Sequence, residues 1–287
     1  MPIYDQSYAH WEGQLEGRLF RWLPITLNSI RLAFRSKIFL VVFCLGLIPF
    51  VIWAGTSFLF YTVNDVANDI GQGLKSSYIK MALQNFFSNT TFGIILMVLF
   101  VGCGLIAKDL KVKALEIYFS KPITLFDYLV GKVGVMVFFL SCMTFFPGVL
   151  LYLLDYLLSS DTAGFLEKAP LLLGVVLVSL LITVTVSMIA LAASSLCASA
   201  RNAAILWFGF HLTLLITGWI LWHVFNMPFL ELIDIRVSFS YLTQVALDVE
   251  RDFSLPWIYP LLYIILLNAG AGLILYRRVR RGEGDES

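Results

Sequence analysis

The sequence of residues 169–200, APLLLGVVLVSLLITVTVSMIALAASSLCASA, decides the fold class. These 32 consecutive positions contain no Asp, Glu, Lys or Arg. Because an α-helix rises about 1.5 Å per residue, about 20 apolar residues cross the roughly 30 Å hydrocarbon core of a bilayer. The apolar residues are consecutive, whereas membrane β-strands alternate apolar and polar positions. The segment therefore predicts a transmembrane helix.

Five more uncharged runs occur, at residues 38–64, 81–107, 133–154, 202–230 and 253–276. The whole chain is 59% hydrophobic and only 14% charged, whereas soluble domains carry about 25% charged residues. We therefore exclude a soluble globular protein and predict an all-α integral membrane protein with six transmembrane helices. The predicted spans are residues 38–60, 88–107, 128–154, 170–197, 203–225 and 256–276.

Lys and Arg are distributed unequally between the two sides that six spans define. Fifteen lie on the side of the termini and five on the other side, whereas Asp and Glu divide nine to ten. Lys and Arg accumulate in cytoplasmic segments, and acidic residues contribute little to orientation. Both termini are therefore predicted to be cytoplasmic. The net charge of +1 provides no basic field for nucleic acid, so no nucleic-acid partner is expected.

The first 37 residues form a predicted cytoplasmic lead-in. Between Leu15 and Phe34 apolar residues recur at helical spacing and arginines interrupt them, which is typical of an amphipathic helix in the membrane interface. A leader that folds on another subunit is the alternative. Pro24 is expected to kink or divide this helix. The predicted domains are residues 1–37, the six-helix membrane domain 38–276 and a cytoplasmic tail 277–287.

Two outer segments have their own patterns. Residues of about 61–87 are polar and predict an outer loop. The longer segment of about 226–255 predicts an amphipathic helix that lies on or dips into the outer leaflet without crossing it. Its apolar stripe consists of Phe239, Leu242, Val245, Ala246 and Val249.

The sequence lacks three common motifs for nucleotide binding, metal-dependent catalysis and paired cysteines. The sequence contains no G-x-x-x-x-G-K-[ST] phosphate-binding loop, no H-E-x-x-H and no C-x-x-C. His211 and His223 are 12 residues apart, on different faces of a helix, so they do not predict a metal pair. Ser187 and Ser194 in the fourth span, like Gly131, are interpreted as helix-packing residues. No catalytic, metal or cofactor site is predicted on this chain.

The connection between the second and third spans is more patterned than a simple linker. Residues 108–132 have the sequence KDLKVKALEIYFSKPITLFDYLVGK. Leu110, Ala114 and Tyr118 predict one face of a short helix. Thr124 followed by Asp127 matches a capping box that opens the next helix. The segment therefore predicts a short cytoplasmic helix, a corner at Pro122 and a capped transmembrane helix.

This segment resembles the signature region of ABC-2-type transporter permeases, the membrane subunits of ABC transporters that include the nitrous-oxide-reductase maturation permeases. The matching features are a Leu-Glu pair, Ser-x-Pro, a Thr, aromatic residues and a final Gly-Lys. They correspond here to Leu115-Glu116, Ser120-Lys121-Pro122, Thr124, Phe126 with Tyr128, and Gly131-Lys132. The sequence departs from the family at Lys113-Ala114, where Gly-Thr is usual, and at Leu125, where Arg is frequent.

The resemblance implies a type V ABC exporter-like permease in the bacterial inner membrane. It would pair with separate ABC ATPase subunits that carry ATP and Mg²⁺, and with a second permease copy or a paralogue. A periplasmic partner is a further possibility, and a membrane scaffold, a channel or an intramembrane enzyme are the alternatives. The implied ATPase contacts are Leu110, Lys113, Leu115, Glu116, Tyr118, Ser120, Lys121 and Pro122, with Arg201 in a second loop.

Overall fold

The structure, a computed structural model, describes residues 21–67, 72–114, 118, 123–158, 165–225, 228–249 and 255–284. Within these ranges every regular element is helical and no strand occurs. The α-helices are α1 (Leu23–Phe34), α2 (Lys37–Gly46), α3 (Ile48–Ala67), α4 (Gln72–Phe100), α5 (Ala107–Lys111), α6 (Leu125–Met143), α7 (Phe145–Leu158), α8 (Phe165–Leu196), α9 (Ala200–Phe225), α10 (Ile235–Ala246) and α11 (Ile258–Gly284). Short 3-10 helices at Gly102–Gly104 and Pro228–Ile233 precede α5 and α10.

Six helical stretches in the described part of the chain are long and apolar enough to cross a membrane, which confirms the predicted fold class. The second stretch begins at Ser77 and α4 itself at Gln72, so the outer loop predicted at about 61–87 is wrong. Hydropathy detects the part of a helix inside hydrocarbon and misses its polar outer turns. The six stretches are Lys37–Val63, Ser77–Lys111, Leu125–Leu158, Ala169–Leu196, Ala200–Phe225 and Ile258–Arg280.

The first and third spans each consist of two helices that meet at a break. Leu47 separates α2 from α3, and Thr144 separates α6 from α7. Pro49 and Pro147 lie in the first turn after each break. A proline is tolerated there because its missing N–H would have no partner within the helix. The two spans, predicted as continuous helices, are therefore segmented.

The fourth span, α8, lies at the centre of the bundle. It packs against α6, α7, α9, α10 and α11. In its most apolar stretch 61% of the residues are buried, compared with 11% in the fifth span, α9. The Ser187 hydroxyl donates to the Thr183 carbonyl oxygen at 2.6 Å, and the Thr183 hydroxyl lies 3.3 Å from that of Thr144. The Thr183–Thr144 contact joins α8 to the third span and supports a packing role for Thr183, whereas the Ser187 hydroxyl bonds within α8 itself.

Helix α1 lies on the first turns of α6. Ile25 and Thr26 are buried, and the Thr26 hydroxyl donates to the Gly131 carbonyl oxygen at 2.8 Å. A β-carbon at Gly131 would come within 3.1 Å of Ile25, which confirms Gly131 as a close-packing position. Pro24 occupies the first turn of α1, so it begins the described helix instead of kinking it. The preceding part of the predicted lead-in, residues 1–20, lies outside the described residues.

The segment between the fifth and sixth spans folds back onto the bundle as a helix that does not cross. Asp234 caps α10 by accepting the Arg236 N–H at 3.0 Å, and α10 packs against α4, α8 and α11. A β-carbon at Gly174 of α8 would overlap the Ala246 carbonyl oxygen, so the two helix backbones are in close contact.

The buried face of α10 differs from the apolar stripe predicted for it. The stripe residues are only half-buried, whereas Ser238, Tyr241 and Gln244 are fully buried. The Tyr241 hydroxyl donates to the Leu255 carbonyl oxygen, and the Ser238 hydroxyl donates to that of Leu232 at 2.6 Å. Polar side chains can face the bundle because hydrogen bonds to neighbouring loops satisfy them.

Candidate functional site

The residues predicted to contact an ATPase lie between the second and third spans. Leu110 in α5 is half-buried and packs against the core, and Lys113 is exposed. The Tyr118 ring lies 5.4 Å from the Tyr128 ring of α6. Burial, and to a smaller extent the Asp109 carboxylate, raises the pKa of the Tyr118 phenol above its ordinary value. The predicted contacts Leu115, Glu116, Ser120, Lys121 and Pro122 lie outside the described residues.

Helix α5 ends earlier than the sequence predicts. A turn at Val112 and Lys113 interrupts the predicted face, because it separates Leu110 from Ala114 and Tyr118, which are again helical, and residues 115–117 lie outside the described residues. Helix α5 stops at Lys111, and Lys113 has a φ of 52°. A residue in this left-handed conformation commonly terminates a helix, but glycine usually occupies the position. The left-handed conformation costs other residues about 1–2 kcal/mol. A lysine at this position therefore does not predict the end of a helix.

A buried ion pair joins the two sides of this connection. The Lys132 ammonium of α6 lies 2.7 Å from Asp109 Oδ2 of α5, and the two side chains are 5% and 17% exposed. The Tyr128 hydroxyl donates to the same Asp109 oxygen at 2.9 Å. Lys132 also lies 5.5 Å from the centre of the Tyr128 ring. Asp109, Tyr128 and Lys132, hereafter the Asp109 cluster, therefore fix α5 against the start of the third span.

A single serine fixes the other end of α5 to the central helix. The buried Ser194 hydroxyl of α8 accepts the N–H groups of Ile106 and Ala107, each at 3.0 Å, and donates to the Cys103 carbonyl oxygen at 2.9 Å. The N–H groups at the start of a helix have no partner within it. Ser194 supplies that partner from another helix, which confirms its interpretation as a packing residue.

The third span starts at a capping box. The Thr124 hydroxyl oxygen accepts the Asp127 N–H at 3.2 Å, and Asp127 Oδ2 accepts the Thr124 N–H at 3.0 Å. This confirms the predicted box. It fixes the direction in which the chain enters α6, because the Thr124 and Asp127 N–H groups are both satisfied by side chains at this helix start.

In the described part of the connection, the exposed residues include Lys108, Phe126 and the three residues that end or follow α5, hereafter the tip. Lys111, Val112 and Lys113 are exposed, and Val112 is 68% exposed although it is apolar. Arg201, in the second predicted loop, is exposed in the first turn of α9. The Asp109 cluster and Ser194 thus hold a short helix rigidly while its end is presented to the outside. Such an arrangement can transmit a push on the tip to the transmembrane helices.

A second polar feature is a cavity of about 110 Å³ between α4, α8, α9 and α10. Apolar walls surround several polar side chains, among them Gln84, Ser88, His211 and Arg236. Arg236 Nη2 lies 2.8 Å from Oδ2 of Asp234, whose side chain is 4% exposed. Gln84, Ser88 and His211 belong to spanning stretches, whereas Arg236 belongs to α10, which does not cross. The cavity can therefore accommodate a small polar group within the membrane domain.

Sequence reasoning missed both pairings on which these sites depend. In the sequence, Lys132 is recognisable only as a positive charge and as part of the Gly-Lys motif, and no pattern gives Asp109 a role. Arg236 and Asp234 are two residues apart and belong to an outer segment that was interpreted by its apolar stripe. The sequence does place an acidic residue, Asp109, and a basic residue, Lys132, at opposite ends of the same connection. Whether these two residues form a pair depends on how the helices pack.

Comparison with known proteins identifies the family. No curated protein matches the sequence. The model of the family described as ABC-2 family transporter protein matches residues 23–276, which include the first five spans, the sixth up to residue 276, and the connection that holds the Asp109 cluster. The chain therefore belongs to the ABC-2 family of transporter proteins and is a multi-pass membrane component of an ABC transporter.

Proposed function

We propose that the chain is a permease subunit that is moved by ATP hydrolysis on a separate ATPase subunit, where ATP and Mg²⁺ bind. The observation that carries this proposal is the connection between the second and third spans, with its exposed tip at Lys111, Val112 and Lys113 and its rigid attachment through Asp109 and Ser194. The buried ion pair and the Ser194 bridge support this role because they fix α5 to α6 and to α8.

Force applied at the tip would reach the membrane domain by two routes. Through Asp109 and Lys132 it passes to α6, on whose first turns α1 also rests. Through Ser194 it passes to α8, the central helix. Both routes consist of buried charged or polar contacts, which have discrete geometries and do not slide as apolar contacts do. The lead-in helix would therefore move together with the third span.

The proposed complex contains two permeases, either two copies or this chain and a paralogue. The exposed surface of the fifth span supports this proposal. On α9, Ile205, Trp219 and Val224 are 66%, 57% and 67% exposed, and Thr213 and His223 are exposed among them. Thr213 and His223 lie 2.8 and 2.9 Å from carbonyl oxygens of α9 itself, so a partner helix would cover this surface through its large apolar side chains.

The proposed location is the bacterial inner membrane with both termini in the cytoplasm. The excess of Lys and Arg on the terminal side supports this orientation. It places the exposed tip in the compartment that contains ATP. A relationship to the nitrous-oxide-reductase maturation permeases is the finer proposal, and in that case the work of ATP hydrolysis acts on a periplasmic partner instead of a solute.

Co-purification with the proposed ABC ATPase subunit tests the proposal. The Lys113→Glu variant should lower the yield of complex several-fold, because it reverses a charge at the tip. Lys80→Glu reverses a charge on the opposite side and should leave the yield unchanged. The isolated chain should hydrolyse no ATP. Normal assembly of the Lys113→Glu complex, or ATP turnover by the purified chain alone, would contradict the proposed coupling.

A further inference from the structure

A groove of about 530 Å³ runs along the outside of the bundle between α8, α9 and α11. Its lining residues are apolar or aromatic and belong to the membrane-spanning stretches of these helices. The small residues Ala192, Gly270 and Ala271 leave the space open, and a β-carbon at Gly270 would meet nothing within 4 Å. Leu266 and Ile274 on its rim are 69% and 42% exposed. The groove is therefore accessible from the hydrocarbon of the bilayer.

Two arginines extend the groove at one end. Arg277 and Arg278 follow the lining residue Ile274 by three and four positions, so they lie on the same face of α11. Both are exposed, and neither forms an ion pair with another residue of the described ranges. Leu196, the last residue of α8, lines the groove at this end too. The apolar groove thus leads to a pair of cations.

We propose that the groove binds one acyl chain of an anionic phospholipid whose headgroup phosphate pairs with Arg277 and Arg278. The lipid belongs to the leaflet at the arginine end, which is the cytoplasmic leaflet in the orientation proposed above. The site would hold a resident lipid and is separate from both the Asp109 cluster and the cavity beside Arg236.

The shape of the groove favours a flexible chain. An unfilled space deprives its lining of dispersion contacts, and an acyl chain can follow an irregular surface between three helices. The guanidinium groups favour a phosphate, because arginine binds phosphate oxygens through paired N–H donors. Basic pockets between transmembrane helices on the cytoplasmic side are a known means of binding anionic headgroups.

Charge argues against a second copy of the chain as the occupant. The exposed first and fifth spans of a copy in the same orientation would bring Lys37 and Arg201 to the level of Arg277 and Arg278. Those two spans contain no Asp or Glu within Lys37–Val63 and Ala200–Phe225. Like charges would therefore meet, whereas an anionic lipid supplies the opposite charge.

Lipid retention by the purified full-length chain tests the proposal. The protein is loaded with phosphatidylglycerol or with phosphatidylcholine of identical acyl chains, and native mass spectrometry counts the retained lipids. The wild type should retain about one phosphatidylglycerol per chain and prefer it to phosphatidylcholine. Gly270→Leu places a side chain in the groove and should lower retention of both lipids at least fivefold.

The double variant Arg277→Gln/Arg278→Gln separates headgroup from chain binding. It should lower the preference for phosphatidylglycerol roughly thirtyfold, the equivalent of about 1 kcal/mol for each arginine. Retention of phosphatidylcholine should fall much less, since the groove is intact and the cationic choline already offsets the charge of its phosphate.

Matched controls exist for both substitutions. Gly55→Leu introduces the same side chain on α3, also into open space, and Arg280→Gln removes a charge about 120° away from Ile274 around α11. Both variants should behave as the wild type.

Unchanged retention in Gly270→Leu, or equal retention of the two lipids by the wild type, would overturn the proposal. Loss of a dimer in Gly270→Leu without loss of lipid would assign the groove to a protein interface instead.

Discussion

Lys132 lies in the second turn of α6 and forms an ion pair with Asp109 of α5. A buried ion pair adds little net stability compared with an apolar pair of similar volume, because both charges lose their hydration. Removing one partner is different, since the other charge is then left buried and uncompensated. The contribution of this pair is therefore its selectivity: only one placement of α5 on α6 satisfies both charges.

Variants of the pair should show this asymmetry. We expect Asp109→Asn and Lys132→Met each to lower the free energy of unfolding by about 3–5 kcal/mol, the usual cost of breaking a buried pair. The double variant should lose less than either single variant, since no charge remains buried. Unfolding of the purified protein in detergent, followed by circular dichroism, measures the three values. Additive losses in the double variant would contradict this account.

At the scale of helices, α2 and α4 approach through a pair of glycines. A β-carbon at Gly93 would lie 2.7 Å from the Gly46 Cα, a distance that forces the backbones apart. Close approach through small residues is a common way for membrane helices to associate, because apolar packing alone gives no preference over lipid. The glycine pair therefore sets the distance between the first and second spans.

Alanine substitutions should separate close packing from helix propensity. Gly93→Ala should lower the free energy of unfolding by about 1–3 kcal/mol, the cost of overpacking. Gly55→Ala has open space around the new methyl group and should raise stability by about 0.5–1 kcal/mol through helix propensity. Thermal unfolding of the two variants under identical conditions makes the comparison. Equal effects at the two positions would mean that α2 and α4 are not in close contact.

The sequence predicts what depends on nearby residues. The Thr124–Asp127 capping box follows from two residues three positions apart, and the six spans follow from consecutive apolar residues. What the sequence does not reveal depends on distant or exceptional contacts. Asp109 finds Lys132 only after α6 is in place, and the end of α5 depends on a lysine in a conformation that glycine usually adopts. The breaks at Leu47 and Thr144 are likewise absent from a hydropathy profile.

For the whole molecule, orientation is the property that charge predicts and that labelling can test. In a background without the four native cysteines, Val112→Cys should be shielded from a membrane-impermeant maleimide in intact cells. Asp248→Cys should react, since Asp248 lies on the opposite side with 94% of its side chain exposed. Both cysteines should react once the membrane is opened by detergent. The reverse pattern in intact cells would invert the orientation.

The central position of α8 has a consequence for biosynthesis. Ribosomes deliver the N-terminal segments first, so three spans emerge before the helix against which α6 and α7 pack. During that interval the Thr144 hydroxyl lacks its neighbour Thr183, and the N–H groups of Ile106 and Ala107 lack Ser194. The first three spans therefore cannot complete their packing until the fourth span has been inserted, and the insertion machinery or a chaperone would hold them during that interval. A nascent chain halted before residue 165 would therefore lack the contacts that α8 makes with α6 and α7.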